Sequence, residues 1–314
     1  MMPPLMSNGS ENQMKTIQGG IEQAPKKVEI QKTRRVTSDK IESPGILSDS
    51  IILEQIKTDG SFKYAAHEQL GDGSWHDNIY EDFPDPSGNG ILTPLKHPLW
   101  LLSGPPSDFG SDQELFTEIV EFWKHHHELR DERSYEVLAC FGLMTWRIEQ
   151  FNVVPYIDFL GPKGCGKTRG LELLQQLTYR GWLITHPTAA VVFWVVDRFG
   201  PTLLADNYEF WNKETRRDLD GLLNAGYRRG MVVPRRPREG EGNSSELLVY
   251  KVFSPKALAG TREPVDSLAS RCITIRMSRN QGEKPIEVDA EWGTALRSKL
   301  LSYRFHHHEE MKKS

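Results

Sequence analysis

Residues 161–168 read GPKGCGKT. Glycine stands first and sixth, and lysine and a hydroxyl residue close the run. At average residue frequencies this spacing would turn up in a chain of 314 residues with a probability of roughly 0.01. The flanks agree with it. Residues 156–160 (YIDFL) suit a buried strand, and residues 168–179 (TRGLELLQQLTY) put Leu171, Leu174 and Leu177 on one side of a helix. Gly161, Gly164 and Gly166 let backbone N–H groups close around phosphate oxygens at the positive end of that helix. Pro162, Lys163 and Cys165 complete the loop, Cys165 as a small filler, and Arg169 follows in the first turn of the helix. Lys167 is placed to reach β- and γ-phosphates, and the Thr168 hydroxyl to ligate Mg²⁺. The bland alternative is a glycine turn that happens to precede a helix.

Composition narrows the field. Apolar residues make up 38% and charged residues 26%, with a net charge of −4, so no global positive field draws the chain to nucleic acid. Three cysteines lie far apart without CxxC spacing, which argues against a zinc site or disulfide framework and fits a reducing interior. The longest apolar run, residues 189–196 (AAVVFWVV), is far short of the ~20 residues that span a bilayer. No apolar signal segment opens the sequence, so the expected compartment is the cytoplasm, with no membrane partner.

Patterning divides the chain into five stretches. Residues 1–50 are expected to be a disordered arm: the first aromatic is Phe62, and residues 1–45 carry seven basic and five acidic groups with little to bury. Residues 51–110, punctuated by turn signals, are expected to form a small β-rich or irregular module. Residues 111–152 read as helical, beginning with a capping box at Ser111 and Glu114 and continuing with Leu115, Ile119 and Phe122 at helical spacing. Residues 153–280 alternate strands with helices, which predicts an α/β core: a parallel five-stranded sheet flanked by helices, with an inserted β-hairpin. Residues 281–314 are expected to supply a partial C-terminal lid helix, with Arg297 a candidate sensor in it.

A second strand, residues 202–205 (TLLA), ends at Asp206, placed to hold Mg²⁺ through water. Asn207 follows where a carboxylate would activate water; its amide can orient a water instead, while Glu209, just past the strand end, brings a carboxylate to the site if the turn folds back. With these motifs in order, residues 135–277 resemble the AAA+ class of P-loop ATPases, including the superfamily 3 helicase-like group, and more generally helicase-like ATPases of plasmids, proviruses and viruses. The resemblance implies ATP and Mg²⁺ as ligands and a homo-oligomer, the hexamer being one form. It implies that Thr261, at the end of KALAGT, senses the γ-phosphate, and that residues 231–253 form a hairpin that enters a central channel. It also makes Arg271, in Ser270-Arg271-Cys272, an arginine finger acting on a neighbouring subunit's nucleotide. Thr261 could equally cap a turn, and Arg271 could be a surface arginine, with Arg262 and Arg276 as competitors. Asn207 departs from the family pattern, as does the short stretch of 37 residues after Met277.

Arg228, Arg229, Arg235, Arg236 and Arg238 crowd residues 226–238 without an acid, a local charge suited to the phosphates of DNA or RNA. The alternative pairs them with Asp218, Asp220, Glu239 and Glu241. Two histidine triplets, residues 125–127 and 306–308, read as solvated helix faces. Three functions follow in order of preference: an oligomeric nucleic-acid motor; an ATP-bound switch or scaffold that hydrolyses poorly, motivated by Asn207; and, less favoured, a small-molecule kinase.

Overall fold

The computed structural model describes residues 40–41 and 45–308, apart from 87, 89, 212, 236–246, 265 and 280. Most of the arm therefore lies outside the described residues. Its last part does not: β2 (Gly45–Ser48) falls within the span assigned to disorder and is paired with β3.

The N-terminal module is built on β1 (Lys40–Ile41), β2, β3 (Ile51–Thr58), β4 (Ser61–Gln69), β5 (Trp75–Tyr80), β6 (Phe83–Pro84) and β7 (Ile91–Thr93). β2, β3, β4 and β5 form an antiparallel sheet in chain order, joined at β3 and β4 by the tight turn at Asp59 and Gly60. β1, β7 and β6 form a small second sheet. Leu53, Tyr64, Ala66, Phe83 and Leu92 form a small core of the module's own, while Ile52, Ile56 and Ala65, on the other face of its main sheet, join the core of the helices that follow.

α1 (Asp112–His126) starts at the expected capping box, in which Ser111 Oγ accepts from the Glu114 N–H and Glu114 accepts in return. α2 (Arg133–Trp146) follows. The core then runs β8 (Tyr156–Leu160), α3 (Lys167–Leu177), β9 (Gly181–Ile184), α4 (Ala189–Phe199), β10 (Thr202–Ala205), α5 (Lys213–Ala225), β11 (Val232–Arg235), β12 (Leu248–Lys251), β13 (Lys256–Gly260), α6 (Asp266–Ala269), β14 (Cys272–Arg276) and α7 (Ala290–His306). Five strands make a fully parallel sheet in the order β14-β8-β13-β10-β9, as the alternation predicted. Ile157, Phe159, Leu204, Ala257 and Ala259 face α1, α2, α3 and α7. Tyr156, Leu203, Ala205 and Leu258 face α4, α5 and α6. Both faces are covered, which explains strands that read as continuous apolar runs. β11 and β12 form the expected antiparallel hairpin between α5 and β13, and its tip lies outside the described residues.

Four charged groups distant in sequence join these parts. Arg304 on α7 contacts Glu54 on β3 at 2.9 Å and Glu149 at 2.7 Å, while Arg180 before β9 contacts Glu54 at 3.1 Å. The Tyr179 hydroxyl donates to Glu54 at 2.8 Å. Two acids and two bases balance, which is what permits their burial.

Candidate nucleotide-binding site

The loop after β8 is shaped by its neighbours. Gly166 has φ +85°, and a Cβ there would lie 2.5 Å from His127 Nε2. A Cβ on Gly161 would meet the Met277 carbonyl at 2.5 Å. Any other residue at either position would push the loop away from the sheet. α3 begins at Lys167, so the N–H groups of its first turn point into the loop. The Lys167 ammonium folds back and donates to the carbonyls of Gly161 and Pro162, both at 2.8 Å, with the buried Cys165 thiol 3.9 Å away. A cation parked on two carbonyls is free to exchange them for phosphate oxygens.

Across the sheet, β10 delivers Asp206 to the same point. Thr168 Oγ1 donates to Asp206 Oδ2 at 3.0 Å. Asp206 is buried, and its Oδ1 has no hydrogen-bond partner among the described residues. A hydroxyl and a carboxylate with an oxygen left over form a hard oxygen donor set, the chemistry Mg²⁺ requires. These two residues fit that ion.

Two clefts meet at the loop. One, of about 540 Å³, is lined by Lys163, Gly164, Gly166, Lys167, Thr168, Asn207 and Thr261. The other, of about 440 Å³, lies between the loop and the segment after β14, with His126, His127, Arg169, Arg279 and Lys284 in its walls. They share Gly164 and Gly166, and each is within the size range of ligand clefts. Hydrogen bonds hold the wall segment to the end of α1: Glu128 accepts from the N–H groups of Gln281 (2.8 Å) and Gly282 (3.0 Å), and His126 Nε2 accepts from Asp289 N at 3.0 Å.

The turn after Asp206 separates two side chains that the sequence left as rivals. Asn207 adopts φ +50° and faces the first cleft. Glu209 turns the other way, lining a neighbouring 280 Å³ cavity with Trp211, Arg216 and Leu268. Its carboxylate accepts the Thr261 N–H at 2.7 and 2.8 Å and the Thr261 hydroxyl at 2.6 Å. Below them, Asp158 in mid β8 is fully buried, and neither of its oxygens has a partner among the described residues. Burial, then the neighbouring carboxylates of Glu209 and Glu263, push its pKa up to about 7.

Several expected site residues are elsewhere. Arg271 precedes β14 at the opposite end of the sheet: its carbonyl accepts from Tyr156 N, and about five residues of strand, ~16 Å, separate it from the loop. Its guanidinium lies over Tyr227 at 4.6 Å. Arg229 donates to the carbonyls of Phe151 (3.1 Å) and Ile148 (2.8 Å). Arg235 pairs with Asp218 at 3.3 Å and covers Phe193. Arg228 is exposed, and Arg236 and Arg238 lie outside the described residues. Arg297 is buried and bonded to Leu102 O, Gln176 and Thr294, remote from the clefts.

The histidine triplets are corrected as well. His126 and His127 are buried, as is His308, because the end of α1 packs on the loop and the end of α7 packs on β4. Desolvation lowers the pKa of both His126 and His127. His126, His127, Arg279 and Lys284 carried no motif, and only the fold brings them to the loop.

A parallel five-stranded sheet flanked by helices, with a glycine loop at the C-terminal end of β8 and an aspartate at the end of β10, is the P-loop NTPase fold. No family model matches the sequence, and no curated protein matches it. Among solved structures the chain is similar to the JCV helicase, with 13% identity, 65% of this chain and 59% of that one covered, and a TM-score of 0.31. It is also similar to the apo C-terminal region of NrS-1, with 11% identity, 81% and 65% covered, and a TM-score of 0.31. The chain thus spans less than two thirds of the length of either.

Proposed function

We propose that this chain binds and hydrolyses ATP with Mg²⁺ and works in a homo-oligomer as a helicase-like motor on DNA or RNA. The observation that carries the nucleotide reading is the Thr168–Asp206 contact of 3.0 Å, made between the first turn of α3 and the end of β10 beside the glycine loop. The hairpin between α5 and β13 supports the motor reading. In this scheme the N–H groups of residues 164–168 and the Lys167 ammonium bind the β- and γ-phosphates. Thr168 and Asp206 would hold Mg²⁺, which would supply charge neutralisation when bound. Asn207 orients the attacking water through its amide. Positioning rather than proton abstraction dominates phosphoryl transfer, so an amide suffices there. Thr261 stands opposite, its hydroxyl committed to Glu209 until another acceptor competes for it. Arg279, exposed in the wall of the second cleft, is a cation available to the remaining phosphate. Arg271 would act on the nucleotide of an adjacent copy.

A second reading, an ATP-bound switch with little turnover, is favoured by one observation: Glu209 is engaged by Thr261 and does not line the phosphate cleft. Steady-state ATPase measured with and without single-stranded DNA and RNA, against Lys167→Ala, separates the two. Turnover stimulated by nucleic acid supports the motor. Tight ATP binding with turnover no faster than Lys167→Ala supports the switch, and no difference in ATP binding between the two proteins overturns both.

A further inference from the structure

Lys256 opens β13 and is completely buried, yet no carboxylate among the described residues is bonded to it. Its ammonium sits in a cage of oxygens: Ser254 O at 2.9 Å, Ser254 Oγ at 3.2 Å, Val252 O at 3.2 Å and Gly226 O at 3.3 Å. The Tyr156 ring closes one side, 5.0 Å away. Gly226 is glycine for this reason, since a Cβ there would lie 2.3 Å from the ammonium and 2.4 Å from Val252 O. Buried lysines without a counter-ion are rare because the charge costs far more than an isosteric methionine.

The cage has a telling composition. Gly226 ends α5 and begins the outgoing root of the hairpin, and Val252 lies on its returning root. A single ammonium therefore ties both roots to the base of β13. Tyr227, next in the outgoing root, is covered from the other side by Arg271. Five residues along β13, about 17 Å away at strand rise, the same strand presents Thr261 to the phosphate cleft.

We propose that Lys256 is a positioning residue that fastens both roots of the hairpin to β13, so that a displacement of Thr261 on nucleotide binding moves the hairpin as one piece. This rests on the nucleotide-binding reading above. Desolvation brings the Lys256 pKa down to about 7, and a neutral amine offers two N–H donors instead of three and no charge. Among the described residues the titratable group against it is Tyr156 on β8, and Cys272, Arg271 and Tyr227 lie beyond that ring. The coupling is therefore strong below neutrality and weakens above it.

The test uses the full chain with the exposed Cys140 changed to serine and a fluorophore at Leu248→Cys, on the exposed face of β12. ATP with Mg²⁺ is titrated, and binding is read separately with a fluorescent ATP analogue. The expected result is that Lys256→Met binds ATP within about threefold of the parent while the hairpin signal falls at least fivefold. Lys256→Gln, which keeps donors but no charge, gives an intermediate signal that does not change with pH. The parent signal declines through pH 7. A normal signal in Lys256→Met overturns the proposal, and so does a parent signal that is flat from pH 6 to pH 8.5 or absent while ATP binds. The pH profile stands even if Lys256→Met does not fold. A parent that binds no ATP overturns the nucleotide reading itself.

Discussion

Glu209 and Thr261 are locked together: the carboxylate takes both the backbone N–H and the hydroxyl of the threonine, the shorter contact at 2.6 Å. A carboxylate that accepts two donors is held in one place. Glu209 is thereby a support for Thr261, and Asn207 is the polar side chain left facing the phosphate cleft. Asn207→Gly isolates the amide, because glycine adopts φ +50° without strain. It is expected to lower kcat about 10- to 100-fold with ATP affinity unchanged. Glu209→Gln, which leaves Thr261 one oxygen, should cost less. The reverse ranking would make Glu209 the base.

Asp206 makes a separable prediction. Its Oδ1 is buried without a partner and its Oδ2 takes the Thr168 hydroxyl. Asp206→Asn preserves the shape but removes the charge that a divalent ion needs. ATP affinity measured with Mg²⁺ should fall about tenfold, while affinity measured in EDTA changes little. Equal losses under both conditions would mean that Asp206 only shapes the loop.

Asp158 should report on pH. Its raised pKa means that the folded chain holds a proton there from about pH 4 to pH 7 that the unfolded chain releases. The stabilising protonated state is fully present below the ordinary carboxylate range and is lost as pH rises through 7. Asp158→Asn, always neutral, should match the parent in thermal melts near pH 4 and exceed it by on the order of 2 kcal/mol at pH 8. A difference that does not change with pH would mean that the carboxylate stays charged through an unseen partner.

These groups differ in how far the sequence revealed them. The glycine loop, Asp206, the five parallel strands and the hairpin were legible because each rests on local spacing: a loop between strand and helix, apolar runs, a turn between two β-prone segments. Asp158 sat inside a run that reads as a buried strand, and nothing local says that its carboxylate finds no partner there. The histidine triplets misled for the same reason. Consecutive side chains on a helix diverge, and only packing decides that His127 meets Gly166 while His125 remains exposed. Arg297 fitted a lid position by sequence, but α7 packs against α3 and buries it.

The ion cluster of Glu54, Glu149, Arg180 and Arg304 was wholly illegible, since 250 residues separate its ends. Removing one partner of a buried pair leaves the other charge stranded. Arg304→Met should cost about 3 kcal/mol in denaturant unfolding, and Arg304→Met with Glu149→Gln should recover part of it. A loss below about 0.5 kcal/mol would show that water reaches Glu54 and compensates.

The arginines near the hairpin are not equivalent. Arg229 and Arg235 spend their donors on Ile148, Phe151 and Asp218, and each covers an aromatic ring, Phe253 and Phe193. Arg228 is exposed and has no side-chain partner among the described residues. If the hairpin region meets a phosphate backbone, Arg228 can offer its guanidinium at no internal cost, whereas Arg235 must first leave Asp218. Affinity for single-stranded DNA measured against salt should reflect this. Arg228→Ala is expected to reduce the slope of log K against log salt by about 0.7, the share of one phosphate contact, with no change in thermal stability. Arg235→Ala should barely change the slope and should destabilise the fold by about 1 kcal/mol through Asp218 and Phe193. The opposite pattern would mean that nucleic acid pulls Arg235 out of its pair, and that the pair is a latch the ligand opens.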